Sequence, residues 1–475
     1  MSLTRKIAHN TFVQIIGKAV STAIGLVVIG MLTRYLAEEG FGQYYTIMTY
    51  LQFFGVIVDF GLYVILVKKI SEPGVDESRA VSNVFTMRCL SAVVFLGVAP
   101  LLALALPYPH VVKVGIAVTT VSIFAVTLVQ TLSGIFQRHL RMHLVSIAEV
   151  AGRIVLAVAT WWVIAQDKDL LWIMAAVVAG SIANVGLLYG FARRIVPIMF
   201  RFDFAYWRDI IREAWPIAVS IVFNLVYLKS GILILSLMKT SADVGVFGSS
   251  NKVLEVLVTF PAMFAGLILP LLASAWVSGD RVRFQFVVQR SFDFLVMIAL
   301  PLLGGVLIVA QPVMQLVTGE GFVDAGKILQ ILIVATSIIF IGNLFGIAVL
   351  AVNRQRTMMW LYCVVATVSL AGNLLLIPRF SYFGAAWMNL ISELLITSFA
   401  MWLVVRTTHI RISMTVAGKV FLATAVMAIT LSVLDNVHVI WLACIGAGVY
   451  VAVLYLIKGI DKRMIQEVMR LRGTS

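Results

Sequence analysis

The sequence predicts an all-α integral membrane protein of about fourteen transmembrane helices, with both termini in the cytoplasm. Three observations predict this class. Of the 475 residues, 61% are hydrophobic and only 12% are charged, which is more apolar surface than a soluble chain of this length can bury. Apolar runs of about 20 residues, the length that crosses ~30 Å of hydrocarbon, recur along the chain. Lysine and arginine are dense in every second loop.

The predicted spans follow one another closely, and no soluble stretch of domain size separates them. A transmembrane β-barrel would show short alternating segments instead. The first run follows Arg5 and Lys6, as in a signal peptide, but it is too long for a signal peptide and lacks a clear small-residue cleavage site, so we expect it to be retained. The fourteen runs lie near residues 10–36, 42–67, 81–106, 112–137, 144–166, 170–192, 214–238, 244–275, 288–311, 327–352, 357–377, 383–405, 415–435 and 438–458.

The loop charges predict the orientation. With the N-terminus in the cytoplasm, 25 of the 36 lysines and arginines fall on the cytoplasmic side and six on the other side. Cytoplasmic loops are enriched in these residues, so topology explains most of the net charge of +14, and we expect no nucleic-acid partner. The predicted location is the cell inner membrane. The six outer residues are Arg34, Lys113, Lys168, Lys239, Lys327 and Arg379.

One cytoplasmic loop, residues 193–213, is longer than the others. It places aromatic residues among five arginines, a pattern typical of an amphipathic segment against anionic lipid. The loop separates six spans from eight. Gly42-Gln43-Tyr44 opens the second span and Gly245-Val246-Phe247 opens the eighth, a weak internal similarity. Two related halves are the usual design of a secondary transporter.

Several charged residues lie within the predicted spans, where each costs a few kcal/mol and needs a partner, a water-filled cavity or a function. Two interpretations are open. The charges form ion pairs that fix helix register, or the cations line a hydrated cavity that binds an anion such as a phosphate. The cations are Lys18, Arg88, Arg153, Lys229 and Lys252, with Arg34 at the outer mouth of the first span, and the carboxylates are Asp59, Glu149, Glu255 and Glu393.

Spacing predicts some of the pairs. Glu149 and Arg153 are four residues apart, and Lys252 and Glu255 three, so each pair can meet on one helix face. Lys18 can reach Asp59 if the first two spans are neighbours. Five cations against four carboxylates leave a positive surplus, so a hydrated cavity is the favoured interpretation for Lys18, Arg88, Lys229 and Lys252. Such a cavity would repel an organic cation.

Soluble catalytic signatures are missing from the sequence, which has no Walker loop, no His/Cys metal cluster and no serine-nucleophile motif. We therefore expect no enzyme activity, no cofactor and no metal site. Cys89, Cys363 and Cys444 each lie in an apolar run, so we expect no disulfide. A membrane-embedded glycosyltransferase is an alternative, although such enzymes usually carry acidic residues in a sizeable outer loop.

Short motifs near both ends of the chain carry a family resemblance. Residues 10–12 (Asn-Thr-Phe), residues 32–36 (Leu-Thr-Arg-Tyr-Leu), residues 40–45 (Gly-Phe-Gly-Gln-Tyr-Tyr) and residues 59–62 (Asp-Phe-Gly-Leu) resemble the polysaccharide-exporter family. So do residues 377–386, followed by Ser392-Glu393. These exporters are the O-antigen flippases of the multidrug/oligosaccharidyl-lipid/polysaccharide (MOP) superfamily.

The resemblance implies two pseudo-symmetric six-helix lobes in a V, at residues 1–197 and 198–406, with two further spans in residues 407–475. It implies a central cavity walled by spans 1, 2, 7 and 8, which carry Lys18, Asp59, Lys229 and Lys252. The implied function is to flip a polyprenyl-pyrophosphate-linked oligosaccharide, the pyrophosphate held by cations, with alternating access driven by an ion gradient or the membrane potential. A polysaccharide polymerase and a chain-length regulator are the implied protein partners. A drug/ion antiporter and a lipid II flippase of the same superfamily are the alternatives.

Overall fold

The computed structural model describes residues 3–72, 74–434 and 437–459, and within these ranges it contains helices and no strands. The long apolar runs form helices because a helix satisfies its own backbone hydrogen bonds in hydrocarbon. The helices are α1 (Leu3–Asp59), α2 (Leu62–Ser71), α3 (Glu77–Ala105), α4 (His110–Arg138), α5 (Met142–Ala165), α6 (Leu170–Ala192), α7 (Phe204–Met238), α8 (Ser241–Val277), α9 (Arg281–Thr318), α10 (Ala325–Ala351), α11 (Gln355–Thr408), α12 (Thr415–Val433) and α13 (Val439–Leu456).

Twelve helical stretches of the described chain are long and apolar enough to cross a membrane, and two of them are double length. Ile16–Ser71 has 56 residues and Gln355–Thr408 has 54, or about 80 Å each at 1.5 Å per residue. Non-helical backbone interrupts α1 at Ala37 (φ 54°) and α11 at Ser381 (φ 47°). Counting both stretches as two crossings gives fourteen, and the predicted all-helical membrane fold is confirmed.

The chain reverses at both interruptions. In α11, a Cβ added to Gly384 would lie 2.7 Å from the carbonyl carbon of Leu376, although eight helical residues would span about 12 Å. Gly384 therefore lets the two segments touch by their backbones. We call the parts of α1 before and after Ala37 its first and second segments, and likewise for α11 at Ser381.

The chain divides into two compact units. Unit 1 comprises the residues up to Gly248 together with Val317–Gly321 and Leu370–Ala385, and unit 2 comprises Ser249–Leu316, Phe322–Ser369 and the residues from Ala386 onward.

In unit 1, the first segment of α1 runs parallel to α5. Lys18 pairs with Glu149 in the first half of each helix, and Tyr35 donates a hydrogen bond to the Lys168 carbonyl just beyond α5. A Cβ on Gly17 would lie 2.6 Å from the Cβ of Ser146, so glycine brings the two helices close. This approach places Lys18 against α5.

The second segment of α1 runs antiparallel to α3. Tyr50 donates to the Ala99 carbonyl at 2.8 Å, and nine residues later Asp59 accepts from Arg88. The helix breaks immediately after Asp59, because Gly61 has left-handed backbone angles (φ 75°, ψ 8°). The predicted second span is thus two helices, α1 and α2, with Asp59 at the junction.

The loops of unit 1 gather at two ends, as the alternating loop charges predict. At the predicted cytoplasmic end, Glu77 contacts Arg138 and His139, Ser78 bonds to Pro197, and Lys68 pairs with Glu213. At the opposite end, which we call the outer end, Tyr35 bonds to Asp167 and Lys168, Tyr108 to Ser236, and Lys239 to Pro378.

In unit 2, α12 and α13 pack on α9. The Tyr450 hydroxyl donates to the Met297 carbonyl at 2.8 Å, and a Cβ on Gly304 would overlap Thr424. Gln289 joins the start of α9 to the segment before α12 by accepting from the Ser413 backbone N–H at 2.8 Å.

Candidate functional site

Arg88 lies in α3, is completely buried, and belongs to a closed polar cluster. Its Nη2 donates to Asp59 Oδ1 at 2.5 Å, and its Nε donates to Thr131 Oγ1 at 3.1 Å. The Arg88 side chain is 0% exposed and that of Asp59 is 16% exposed. The prediction that Arg88 lines a hydrated cavity is therefore wrong in this structure, because its charge is neutralised by Asp59 and sealed from solvent.

Lys18 forms the second buried-charge cluster, and its partner is Glu149. Glu149 Oε1 accepts from Lys18 Nζ and from Ser21 Oγ, both at 3.0 Å. The side chains of Lys18 and Glu149 are 44% and 28% exposed. Lys18 thus keeps donor capacity outside its ion pair, because an ammonium group has three N–H donors.

Two sequence-based pairings are corrected by these contacts. Lys18 was expected to reach Asp59, and Glu149 was expected to meet Arg153, but Lys18 pairs with Glu149 and Asp59 with Arg88. The reason is the parallel packing of the first segment of α1 on α5, which turns Glu149 toward Lys18. Arg153, one turn further along α5, has an exposed side chain.

Lys252 and Glu255 in α8 confirm the pairing predicted from their spacing. Lys252 Nζ lies 2.7 Å from Glu255 Oε2, and Asn251 Nδ2 donates to Glu255 Oε1 at 3.4 Å. The side chains of Lys252 and Glu255 are 19% and 31% exposed. This pair resembles Lys18–Glu149, since a partly exposed lysine is held by a carboxylate in an apolar helix.

Lys229 and Arg34 both belong to unit 1. Lys229 is half-buried in α7, beside Ser230, whose hydroxyl accepts from Asn373 Nδ2 at 3.3 Å. Arg34 is exposed at the outer end, where its Cγ would lie 3.4 Å from a Cβ on Gly319. Both residues therefore stand at the surface of unit 1.

Glu393 differs from the other candidate carboxylates. It lies in the second segment of α11, is 5% exposed, and has no hydrogen-bond or ion-pair partner among the described residues. Asn389 and Thr397, one turn to either side, each bury a side-chain oxygen that lacks a hydrogen-bond partner in the described chain, and so does Ser392. Unit 2 therefore contains a lone buried acid among unsatisfied polar oxygens.

The loop before α7 is docked on α3 by side chains of α3. The backbone N–H groups of Met199, Arg201 and Asp203 donate to Ser82, Thr86 and Asn83, at 3.1, 3.0 and 3.1 Å. The side chains of Phe200, Phe202 and Phe204 are exposed, and so is that of Met199.

Ion pairs fasten the same loop and the start of α7. A hydrogen bond from Arg79, and a second from the Tyr206 N–H, hold the pKa of Asp203 below its usual value. Lys69, and then Lys68, lower the pKa of Glu213 in the same way. The loop that divides the chain is thus fixed to unit 1 at its predicted cytoplasmic end.

Sequence reasoning missed two features of this region. One is the helix break after Asp59, for which the Asp-Phe-Gly sequence is the available signal. The other is the docking of residues 199–203, for which Ser82, Asn83 and Thr86, three polar residues within five positions at a helix start, are the signal. Neither signal identifies its partner without the fold.

Comparisons with known proteins agree with this architecture. Residues 7–276 match the family model described as polysaccharide biosynthesis protein. No curated protein matches the sequence. Among solved structures, the chain is similar to the lipid II flippase MurJ in an inward closed conformation, with 13% identity, a TM-score of 0.78, and coverage of 94% of this chain and 98% of that chain.

Two further solved structures show the same fold. One is an inward-facing multidrug resistance MATE transporter of the MOP superfamily, with 12% identity, a TM-score of 0.67, and coverage of 84% of this chain and 99% of that chain. The other is a MOP superfamily transporter from Pyrococcus furiosus, with 12% identity, a TM-score of 0.59, and coverage of 86% and 96%. These structures agree with the all-helical membrane fold that the sequence predicts.

Proposed function

This chain belongs to the family of polysaccharide biosynthesis proteins, and on that premise we propose that it flips a polyprenyl-pyrophosphate-linked oligosaccharide across the membrane. The movement is from the cytoplasmic to the outer leaflet, by alternating access, for the synthesis of a surface polysaccharide such as O-antigen, exopolysaccharide or capsule. The proposed location is the bacterial inner membrane, with both termini in the cytoplasm and with a polymerase and a chain-length regulator as partners.

The observation that carries this proposal is the state of Lys18. A lysine within an apolar helix is costly, and a purely structural ion pair would bury it as Arg88 is buried. Lys18 is instead 44% exposed, and its carboxylate partner is itself partly exposed. Lys252 has the same arrangement with Glu255, and Lys229 is half-buried. The Lys18 ammonium has three N–H donors, so beyond its bond to Glu149 it can also bind the oxygens of a pyrophosphate.

The arrangement favours an anion over the cationic drug expected for an antiporter. The carboxylates Glu149 and Glu255 are each bound by a lysine, so neither offers a free negative charge to an organic cation. The MOP superfamily transporter from Pyrococcus furiosus is described as having a binding pocket of reverse polarity, and one fold can host sites of different chemistry. A lipid II flippase stays the second candidate, because its pyrophosphate chemistry is the same.

Glu393 is the group that we propose for coupling to an ion gradient. The other candidate carboxylates, Asp59, Glu149 and Glu255, are each neutralised by a cation. A carboxylate without a counter-ion is not stable in hydrocarbon, so we infer that Glu393 carries a proton in this conformation. Release of that proton requires water or a cation to reach Glu393. Because Glu393 is buried here, such access requires a conformational change, which links the charge of Glu393 to the transport cycle.

The proposal is tested in cells of the source organism that lack the gene. Complementation with Lys18→Ala, Lys229→Ala or Lys252→Ala is expected to lower surface polysaccharide by about tenfold or more, since each charge-assisted hydrogen bond contributes about 1.5–3 kcal/mol. Glu393→Gln, which is neutral at every pH, is expected to lower export similarly while the protein accumulates normally. Surface polysaccharide is measured on gels, and membrane protein by immunoblot.

Lys113→Ala is the matched control, because Lys113 is a partly buried lysine at the outer end that donates a solvent-exposed hydrogen bond to the Leu104 carbonyl. It should export normally. Normal export by all three lysine variants would rule out a role of these lysines in binding pyrophosphate. Uptake of cationic dyes would favour the antiporter, a requirement for growth would favour the lipid II flippase, and sugar transfer by the purified protein would favour the glycosyltransferase.

A further inference from the structure

The second segment of α1 and the start of α8 cross backbone to backbone in unit 1. A Cβ added to Gly42 would overlap the Ser241 carbonyl, at 2.6 Å from its carbon and 2.8 Å from the Gly245 nitrogen. A Cβ added to Gly245 would overlap the Glu38 carbonyl, at 2.9 Å from its carbon. Such distances leave no room for any side chain, so both positions require glycine.

The contact is reciprocal. Gly42 meets the carbonyl one turn before Gly245, and Gly245 meets the carbonyl one turn before Gly42. A third contact has the same register, because a Cβ on Gly248 would lie 2.5 Å from Cδ1 of Tyr45. A shift of 203 positions turns Gly42 into Gly245, Glu38 into Ser241 and Tyr45 into Gly248, which is the pattern of an isologous contact about a two-fold axis.

The two glycines of the weak internal similarity are therefore in contact with each other. Gly42-Gln43-Tyr44 and Gly245-Val246-Phe247 open the second and eighth spans, and the crossing lies where both helices begin, near the outer end. The side chains around it are closely packed, since Phe41 and Val244 are 0% exposed and Phe247 is 2% exposed. No water or ligand can pass between backbones at this distance.

We propose that this crossing is the outer gate of the translocation path, and that Gly42 and Gly245 allow it to seal. The proposal rests on the proposed alternating-access function. The two helices belong to the predicted N- and C-lobes, whose relative movement opens and closes such a path. Glycine crossings are held by backbone packing and weak Cα–H···O contacts. A contact of this kind seals tightly because the two backbones are in direct van der Waals contact.

The test uses a cysteine at the seal. Val244→Cys is introduced into a chain whose three native cysteines, Cys89, Cys363 and Cys444, are replaced by serine. A membrane-impermeant maleimide is added to intact cells, and labelling is compared with that of the denatured protein. In the parent, labelling should be weak. Adding Gly42→Ala should raise it about fivefold or more, because the added methyl group disfavours the sealed state.

Gly25→Ala is the matched control, since Gly25 lies in the first segment of α1 and an added Cβ has no heavy atom within 4 Å. It should label like the parent. Gly248→Ala supplies a second test if Gly42→Ala fails to accumulate, because the three atoms nearest to its methyl group all belong to the Tyr45 ring. Labelling should rise in Gly248→Ala and return to the parent level in Gly248→Ala/Tyr45→Ala.

Labelling that is unchanged in Gly42→Ala and Gly248→Ala would overturn the gate. So would increased labelling in Gly248→Ala that Tyr45→Ala fails to reverse, because that result indicates misfolding. The labelling uses no substrate, so its outcome is independent of the polysaccharide assay. If the lysine variants export polysaccharide normally but labelling still rises in Gly42→Ala, the crossing is a gate for another substrate.

Discussion

Arg88–Asp59 and Lys18–Glu149 are two ion pairs of the same unit with the same chemistry and opposite surroundings. The Arg88 side chain is 0% exposed and receives its counter-charge at the helix break after Asp59. The Lys18 side chain is 44% exposed and shares Glu149 with Ser21. A fully buried pair is out of reach of a ligand, whereas a partly exposed pair can offer its remaining donors to one. Burial, and not the presence of charge in a span, therefore separates a structural pair from a candidate binding group.

The largest expected effect comes from breaking the buried pair. Asp59→Ala leaves the Arg88 guanidinium uncompensated and should destabilise the protein by about 3–5 kcal/mol. Arg88→Met together with Asp59→Ala removes both charges and should recover most of that loss, because replacing a buried pair by apolar groups is often neutral. Thermal unfolding of the purified protein measures both variants. Equal instability of the single and double variants would contradict a structural role for the pair.

A much smaller loss is expected at the exposed pair. Lys18→Ala should lower the free energy of unfolding by about 1 kcal/mol or less, because partly exposed ion pairs contribute little. The same variant should lose polysaccharide export. Lys18 would then be needed for export but hardly for stability, whereas the Arg88–Asp59 pair is needed for stability. Lys18→Arg keeps the charge and serves as the control for both measurements. If Lys18→Ala lowers the free energy of unfolding as much as Asp59→Ala does, Lys18 has a structural role.

The smallest effect is expected at a third pair, Arg79–Asp203, which joins α3 to the loop before α7 at the predicted cytoplasmic end. The pKa of Asp203 is lower in the folded protein than its usual value of 3.8. A lowered folded-state pKa gives stabilisation that is complete above the unfolded value and is lost as the pH falls through the folded value. Asp203→Asn keeps the helix cap, because asparagine also caps helices well, and removes only the charge.

The parent should therefore unfold at a slightly higher temperature than Asp203→Asn at pH 7. The difference should shrink as the pH falls below about 3.8 and disappear once the pH is below the lowered pKa of the folded protein. Unfolding is followed by light scattering or tryptophan fluorescence at both pH values. A difference that persists in acid would assign the role of Asp203 to its hydrogen bonds and not to its charge.

Much of the fold was predictable from properties of short stretches of sequence, namely their hydropathy and the spacing of their charged residues. Hydropathy over about 20 residues gave the number of spans, including the two segments of α1 and the two of α11, because Ala37 and Ser381 fall between separate apolar runs. Spacing along one helix predicted Lys252–Glu255, since both residues stand on one face of α8. The same rule was wrong for Glu149 and Arg153, because a neighbouring helix offered Glu149 another partner.

Composition, apolar run length and loop charge alone determined that this protein is a membrane bundle and which of its loops share an end. Each of these quantities depends on residues close together in the chain. Only the tertiary structure decided that Lys18 meets Glu149, 131 positions away, that Arg88 is sealed, and that Gly42 lies against the helix that begins at Ser241. Those outcomes depend on which helices are neighbours and how each is rotated, and the cost of burying a charge or a methyl group is set by that packing.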